Sequence, residues 1–288
     1  MIYDYKQHAQ YRDSFNVLAQ KTFGIDFEKW YEAGFWNDRY ICYSFLDEDK
    51  VVANVSANLL NWVVQGRRLD VIQIGTVMTH PDYRMKGLAS QLMHHVLNTY
   101  EDQCDLFYLF GEPNVKGFYE SFGFTPIHET GFHANIMVTG DKKQCIRKLN
   151  LSDKADLNIV RRLIAEKAPL SEQFRVDHDQ SIVAWHLLNV YPNETYYLEQ
   201  LDAIVLFNTD GEVVQLHDVV CPKFVSPEEI VKSIAPKGNY KVDLRFTPAQ
   251  PKLYNRTPYV TDDYNFFVKT KDKALLPEEF FHPDTAHA

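Results

Sequence analysis

An apolar, β-prone run, Val71-Ile72-Gln73-Ile74-Gly75-Thr76-Val77-Met78-Thr79, ends abruptly at His80-Pro81-Asp82-Tyr83. Arg84-Met85-Lys86-Gly87-Leu88-Ala89 follows and runs straight into residues 90–100, which have helical periodicity. No other stretch limits the fold so tightly. A strand, a tight turn and a helix start make an anion cradle, because the first N–H groups of a helix have no partner within it and the helix dipole adds partial positive charge there. Gly87 and the small Ala89 let a bulky diphosphate come close to the backbone. The spacing is neither the GxxxxGK[ST] of a P-loop nor the GxGxxG of a dinucleotide fold. It is R-x-x-G-x-A after a strand.

A second motif follows in the same order. Leu106-Phe107-Tyr108-Leu109-Phe110 reads as a strand. Pro113-Asn114-Val115-Lys116-Gly117-Phe118-Tyr119-Glu120-Ser121-Phe122-Gly123-Phe124 reads as a short helix carrying F-Y-E-x-F-G-F. Together the two motifs resemble the GCN5-related N-acetyltransferase (GNAT) superfamily, whose R-x-x-G-x-A loop takes the pyrophosphate of acyl-CoA. The specific motifs sit in residues 71–124, and the order of elements extends the resemblance over residues 1–140.

Composition limits the other options. The chain has 288 residues, room for two domains of ordinary size, with 45% hydrophobic and 24% charged residues. Its 19 Phe and 17 Tyr predict an aromatic core and aromatic pockets. A net charge of −9 argues against nucleic acid as a partner, since phosphate binding rests on clustered Lys and Arg. There is no apolar segment after Met1 of the secretory kind and no apolar run of the length a membrane helix needs, so no membrane association is expected and a cytoplasmic location is. Cys42, Cys104, Cys145 and Cys221 are widely spaced, with no C-x-x-C, and read as free thiols. His128-Glu129 and His133 have the wrong spacing to share a helix face, so no metal is expected.

Residues 2–5 read as a short strand, 8–22 and 27–34 as helices, and 39–46, 51–63 and 69–79 as strands, with Asp47-Glu48-Asp49-Lys50 as a hairpin turn. Residues 125–148 are expected to close this sheet. The remainder repeats the order: helices at 156–168 and 180–190, strands at 196–200, 203–208 and 212–220, a helix at 227–235 and a strand at 241–246. The expected fold class is α/β (α+β), a mixed central sheet with flanking helices of the acyl-CoA N-acyltransferase type, duplicated in tandem. Residues 1–146 would be the acetyl-CoA-binding catalytic domain and 147–288 a GNAT-like domain without the loop. In that second half Cys221-Pro222-Lys223-Phe224-Val225-Ser226-Pro227 replaces R-x-x-G-x-A, and proline removes N–H donors that a pyrophosphate needs.

The resemblance implies an acetyl-CoA-dependent N-acetyltransferase acting on a primary amine of a small molecule or peptide by direct attack in a ternary complex. Such a reaction holds thioester and amine at about 3–3.5 Å, needs a neutral amine, and needs a proton for the departing thiolate. By the resemblance, Val77, Met78 and Thr79 pair with the pantetheine arm. Arg84, Met85, Lys86, Gly87, Leu88 and Ala89 hold the diphosphate, Asn114 contacts the CoA arm, and Tyr119 protonates the thiolate. The family's strand glutamate is missing from residues 71–76, which leaves the base unassigned; Glu112 is one candidate. Asn58, Asn61 and Gln73 are polar residues in strands that could line a cleft. For the acceptor, Glu28, Trp30, Tyr31 and Glu32 combine carboxylates with aromatic rings, both of which attract an ammonium group. An acyl-CoA-binding regulatory or interaction module without turnover is the alternative from another class. A homodimer stays open.

Overall fold

A computed structural model describes residues 1–140 and 146–288; Cys145 lies outside the described residues. The chain opens with β1 (Ile2–Tyr3), α1 (Ala9–Phe23), α2 (Glu28–Glu32), β2 (Tyr40–Asp47), β3 (Lys50–Val64) and β4 (Arg67–Thr79). Next come α3 (Leu88–Tyr100), β5 (Leu106–Gly111), α4 (Lys116–Glu120), β6 (Thr125–Ile127), β7 (Glu129–Val138) and β8 (Ile146–Lys148). Then follow α5 (Lys154–Ala165), β9 (Phe174–Asp177), α6 (Gln180–Asn189), β10 (Thr195–Leu198), β11 (Ala203–Asp210) and β12 (Val213–Val220). The described chain finishes with α7 (Pro227–Ile234), β13 (Gly238–Leu244), β14 (Asn255–Tyr259) and β15 (Asn265–Thr270), and irregular chain continues to Ala288.

The strands form two mixed sheets, as expected of a mixed α/β fold. The first runs β1-β2-β3-β4-β5-β15-β6, with β9 also paired to β3. The second runs β14-β7-β13-β12-β11-β10-β8. In each, one parallel pair is joined through a helix: β4-α3-β5 in the first and β12-α7-β13 in the second. All other neighbouring pairs are antiparallel.

The sheets do not divide at residue 146. Only β6, of the region 125–148, joins the first sheet, while β7 and β8 belong to the second. In return β15 inserts between β5 and β6, pairing Phe266 with Phe110 on one side and with Ile127 on the other. β9 adds Val176 opposite Trp62. The halves therefore exchange strands, and the backbone ladder of each needs the other.

Alternation along β2 assigns the two faces of the first sheet. Tyr40 and Cys42 pack with Phe15, Leu18 and Ala19 of α1, whereas Tyr43 packs with Leu92, Met93 and Val96 of α3. α1 ends at Gly24, which takes φ 72° and returns its N–H to the Gln20 carbonyl. The α1–α2 layer also carries the joint between the halves. Its core cluster continues into Leu163 of α5, Val183 and Leu187 of α6, and Leu206 and Val220 of the second sheet. Trp30 of α2, 1% exposed, donates its indole N–H to the Ser181 carbonyl across that joint at 2.7 Å.

Candidate active site

The cleft begins where β4 and β5 separate. The two parallel strands pair only from Val71–Gln73 to Leu106–Tyr108. Just beyond, the register between β3 and β4 slips, with Asn54 opposite Met78 and Ser56 opposite Gly75, so Thr76 and Val77 together face Val55. Thr76 takes φ 46° at this bulge. A bulge bends its strand and re-aims the side chains on either side of it. Here it carries the end of β4 away from β5 and opens a cavity of about 680 Å³ between them.

Seven of the sequence-predicted cofactor and catalytic residues line this one cavity: Val77, Met78, Thr79, Arg84, Ala89, Asn114 and Tyr119. Met85, Lys86, Gly87 and Leu88 do not; they build the turn at its mouth. Met85 and Gly87 both take left-handed backbone, φ 61° and 75°, and Lys86 lies over the Tyr83 ring. Gly87 stands at the N-cap of α3 without any side-chain cap, and its carbonyl accepts the Gln91 N–H at 3.0 Å as the helix begins. The N–H groups of Leu88, Ala89 and Ser90 are left for an outside acceptor, the property that suits the turn to a diphosphate.

Tyr119 comes from the short helix α4 and is 7% exposed. Its ring lies flat against Gly111 at the end of β5: a methyl group at Gly111 would stand 2.6 Å from Tyr119 Cε2. Only glycine leaves room for the ring there. Burial, and secondarily the nearby Glu112 carboxylate, pushes the phenol up to about 12, so it keeps its proton at neutral pH. Glu112 itself is exposed and lines the same cavity.

Below the bulge the sheet carries a chain of polar side chains. Tyr40 Oη lies 2.5 Å from Thr76 Oγ1, which donates to Ser56 Oγ at 3.0 Å. Asn54 Nδ2 donates both to Ser56 Oγ and to the Thr76 carbonyl, each at 2.9 Å. The distorted backbone at Thr76 is thus held by side chains of β3.

The acceptor residues expected from sequence separate. Trp30 lines the cavity. Glu28 does not: Arg12 Nε and Nη2 hold its carboxylate at 2.8 and 2.9 Å, and Asn16 adds a third bond. The Tyr31 ring carries the Arg12 guanidinium at 3.7 Å and its hydroxyl turns to Gln7. Glu32 is exposed away from the cavity. The carboxylates of α2 are outside the cleft because Arg12, one helix earlier, neutralises the nearest of them.

Sequence reasoning missed several lining groups. Phe27 and Tyr40 of the first half, and Ile182 and Trp185 of α6, form its aromatic wall. Residues 286–288 run along its floor. Placed by its hydrogen-bond partners, the buried Gln73 amide donates to the Ala286 carbonyl at 3.1 Å and accepts from the Ala288 N–H at 2.9 Å. Ala288 rests on Gly75, where a methyl group would stand 3.2 Å from the Ala288 carbonyl carbon. His287 stacks on Phe110 at 3.7 Å, and its carbonyl accepts a 2.7 Å bond from His186 of α6. Of the three polar strand residues expected from sequence, Asn58 lines the cavity, Gln73 holds the segment beneath it, and Asn61 bonds Asp70 and His178 elsewhere.

Comparison with known proteins bears on residues 6–127, which match the family model described as an acetyltransferase (GNAT) domain. Among solved structures, a conserved protein of unknown function from Enterococcus faecalis V583 superposes with a TM-score of 0.56 at 14% identity, covering 90% of this chain and 69% of its own. A GCN5-related N-acetyltransferase from Anabaena variabilis gives 0.53 at 15% identity, covering 94% and 73%. One from Kribbella flavida gives 0.51 at 18% identity, covering 90% and 69%. The likeness in fold therefore extends over both sheets. No curated protein sequence matches the chain. No described helix is long and apolar enough to cross a membrane.

Proposed function

We propose that the chain, whose residues 6–127 match the acetyltransferase (GNAT) family model, is an acetyl-CoA-dependent N-acetyltransferase acting on a primary amine of a small molecule or peptide by direct attack in a ternary complex. The observation that carries this reading is one continuous cavity lined by the strand segment Val77–Thr79, by Arg84 and Ala89 of the anion-binding turn, and by Tyr119. Acetyl-CoA supplies an activated acyl group and a thiolate leaving group.

The roles follow from position. The diphosphate is held by the α3 N-terminus and Arg84, with Gly87 keeping the approach clear. The pantetheine arm lies in the opening between β4 and β5, where β4 is no longer paired to its parallel neighbour. Asn114, on the turn between β5 and α4, contacts that arm. The attacking nitrogen forms the new C–N bond as the C–S bond breaks, and Tyr119 gives its phenolic proton to the sulfur. The amine's own proton leaves through the cleft, with Glu112 the carboxylate at hand.

Thiol release from acetyl-CoA against a panel of primary amines tests the reading. Amine-dependent release with stoichiometric N-acetyl product supports it. CoA binding without release for any amine would leave a binding module instead.

A further inference from the structure

The cavity has two chemically different ends. Toward the anion-binding turn its lining includes Arg84, Thr79 and Asn114. At the other end it is aromatic. Phe27 is stacked between Tyr40 and Trp185, at 5.8 Å and 25° on one side and 5.9 Å and 29° on the other. Trp30 meets Tyr40 edge-on at 5.3 Å. Across the opening, Phe110 and the stacked His287 complete the enclosure.

Charge is scarce at this end. Among the described residues, Glu112 carries the one carboxylate side chain that lines the cavity. The acidic side chains of the α2 segment are elsewhere, Glu28 being committed to Arg12 and Glu32 being exposed outside. A polycation such as a polyamine or an aminocyclitol sugar carries several ammonium groups. Each loses hydration on entry and needs a carboxylate or a set of acceptors in return. The side chains of this lining offer one carboxylate. An apolar ring, by contrast, gains by leaving water against aromatic faces, and a single ammonium is additionally attracted to those faces.

Resting on the acetyltransferase reading, we propose that the acceptor is a monoamine whose amino group is attached to an aromatic or comparably apolar body, and that Trp185 of α6 is a specificity-determining residue for it. The ring lies on the part of Trp185 that the core leaves uncovered, and the amine points toward Tyr119. Trp185 is the aromatic ring that α6 supplies to this wall, and unlike Phe27, Trp30 and Tyr40 it is only half-buried. It therefore presents the most surface to a ligand and is the least needed for the core beneath.

The test compares phenylethylamine and tryptamine with spermidine and kanamycin in the thiol-release assay, for the wild-type chain, Trp185→Ala and the conservative Trp185→Phe. Aromatic monoamines are expected to show kcat/KM roughly tenfold or more above either polycation, the scale on which one apolar pocket discriminates. Trp185→Ala is expected to raise KM for the aromatic amines by about tenfold while kcat and the KM for acetyl-CoA hold, and Trp185→Phe to recover most of the loss. Polycations turned over as well as aromatic amines would overturn the proposal, as would an equal KM increase for every amine in Trp185→Ala. Calorimetry of phenylethylamine and spermidine with CoA-saturated protein separates this proposal from the catalytic one. If no amine releases thiol, the acetyltransferase reading falls; selective, Trp185-dependent binding of phenylethylamine would still uphold the aromatic site, and its absence would remove it.

Discussion

The two strand–helix–strand crossovers invite direct comparison. Both place a parallel strand pair around one helix, β4-α3-β5 and β12-α7-β13, and both pairs stop bonding part-way along. The helix starts differ. α3 begins at Gly87 with left-handed backbone and no side-chain cap, whereas α7 begins at Ser226, whose hydroxyl accepts the Glu229 N–H at 3.2 Å, with Pro227 in its first turn. One helix offers N–H groups to a ligand; the other satisfies or lacks them. The crevices differ as well. In the second sheet the space beyond Leu216 is crossed by the chain itself, which leaves a cavity of about 310 Å³: the Asp284 N–H bonds the Arg245 carbonyl, Thr285 Oγ1 donates to Asp218 at 2.6 Å, and the Asp284 carboxylate meets His217 at 3.0 Å. The same segment then crosses to the first sheet, where residues 286–288 floor the cleft without filling it. One architecture thus serves twice, once around a wide cavity and once around a narrower one that the chain crosses. The distinction lies in a helix cap and in which crevice the segment occupies.

Cutting the chain between these crossovers should have the largest effect. A protein ending at Thr139 keeps the anion-binding turn and Tyr119 but loses β15, which lies between β5 and β6, and β9, which pairs with β3. It also bares the α1–α2 core against α5 and α6. We expect it to aggregate or to lack cooperative unfolding, as exposed strand edges and apolar surface dictate. A soluble fragment with a cooperative melt and normal CoA binding would show that the halves are independent after all.

Next in size is Gly87→Glu, which puts a negative side chain and a strained φ at the open helix start. CoA affinity should fall about 100-fold or more, with circular dichroism unchanged. Calorimetry should find one CoA per chain in the wild type, since of the two crossover helices α3 alone has an uncapped start. Two equivalents, or full affinity in Gly87→Glu, would contradict the assignment. Tyr119→Phe removes the proton donor but not the ring that packs on Gly111, so kcat should drop by roughly tenfold or more with CoA affinity preserved. A wild-type kcat would leave Tyr119 a packing residue.

How much of this was readable from sequence follows the range of the signals. The anion-binding turn and α4 were legible because R-x-x-G-x-A and F-Y-E-x-F-G-F are local, each fixed by the geometry of a few consecutive residues. The repeated crossover of the second half was legible from periodicity. The exchange of strands was not. Nothing in Asn265–Thr270 marks it for a slot between β5 and β6, because strand period says which face is buried and not which partner is taken. Glu28 shows the same limit in the site: its residue type suits an ammonium, but its place is decided by Arg12, which reaches it across a turn. Trp185 and residues 286–288 reach the cleft from the other half, and no spacing within either half announces that.

The segment shared by the crevices should make stability depend on pH. Burial depresses His282 to about 3, and depresses His186 and His287 as well. Each such histidine binds a proton in the unfolded chain below its ordinary pKa of 6.5 but not in the folded one, so stability is full above 6.5 and is lost as pH falls through the window down to about 3. Glu129, which accepts the His282 N–H at 2.8 Å, works the other way. Burial raises it from 4.5 to about 7, so its contribution is full below 4.5 and is lost as pH rises to about 7. Between 4.5 and 6.5 it offsets one histidine; below 4.5 it offsets none. Denaturant midpoints should therefore fall from pH 6.5 to 4.5 and about half again as steeply below, each buried histidine adding about 1.4 kcal/mol per pH unit. Glu129→Gln should raise stability at pH 8 relative to the wild type and change little at pH 4. An unchanged acid limb in His282→Gln would show that the segment is not where the protons enter.

The smallest effect belongs to the closed helix start, and it makes the sharpest contrast. Ser226→Ala removes the one side-chain bond that satisfies the α7 N-terminus, at Glu229 N–H. Loss of such a cap costs about 1 kcal/mol. In a chain of this size that should lower Tm by about 2 °C. CoA affinity, acceptor KM and kcat should stay at wild-type values, because α7 lies under the second sheet and its start faces no cavity lining residue of the first. Freed N–H groups alone should not create a second CoA site, since Pro227 still lacks a donor and no glycine clears the approach at Cys221–Ser226. If Ser226→Ala bound a second CoA, the cap alone would be what separates the two crossovers, and the narrowed crevice would carry less of the distinction than the geometry assigns to it.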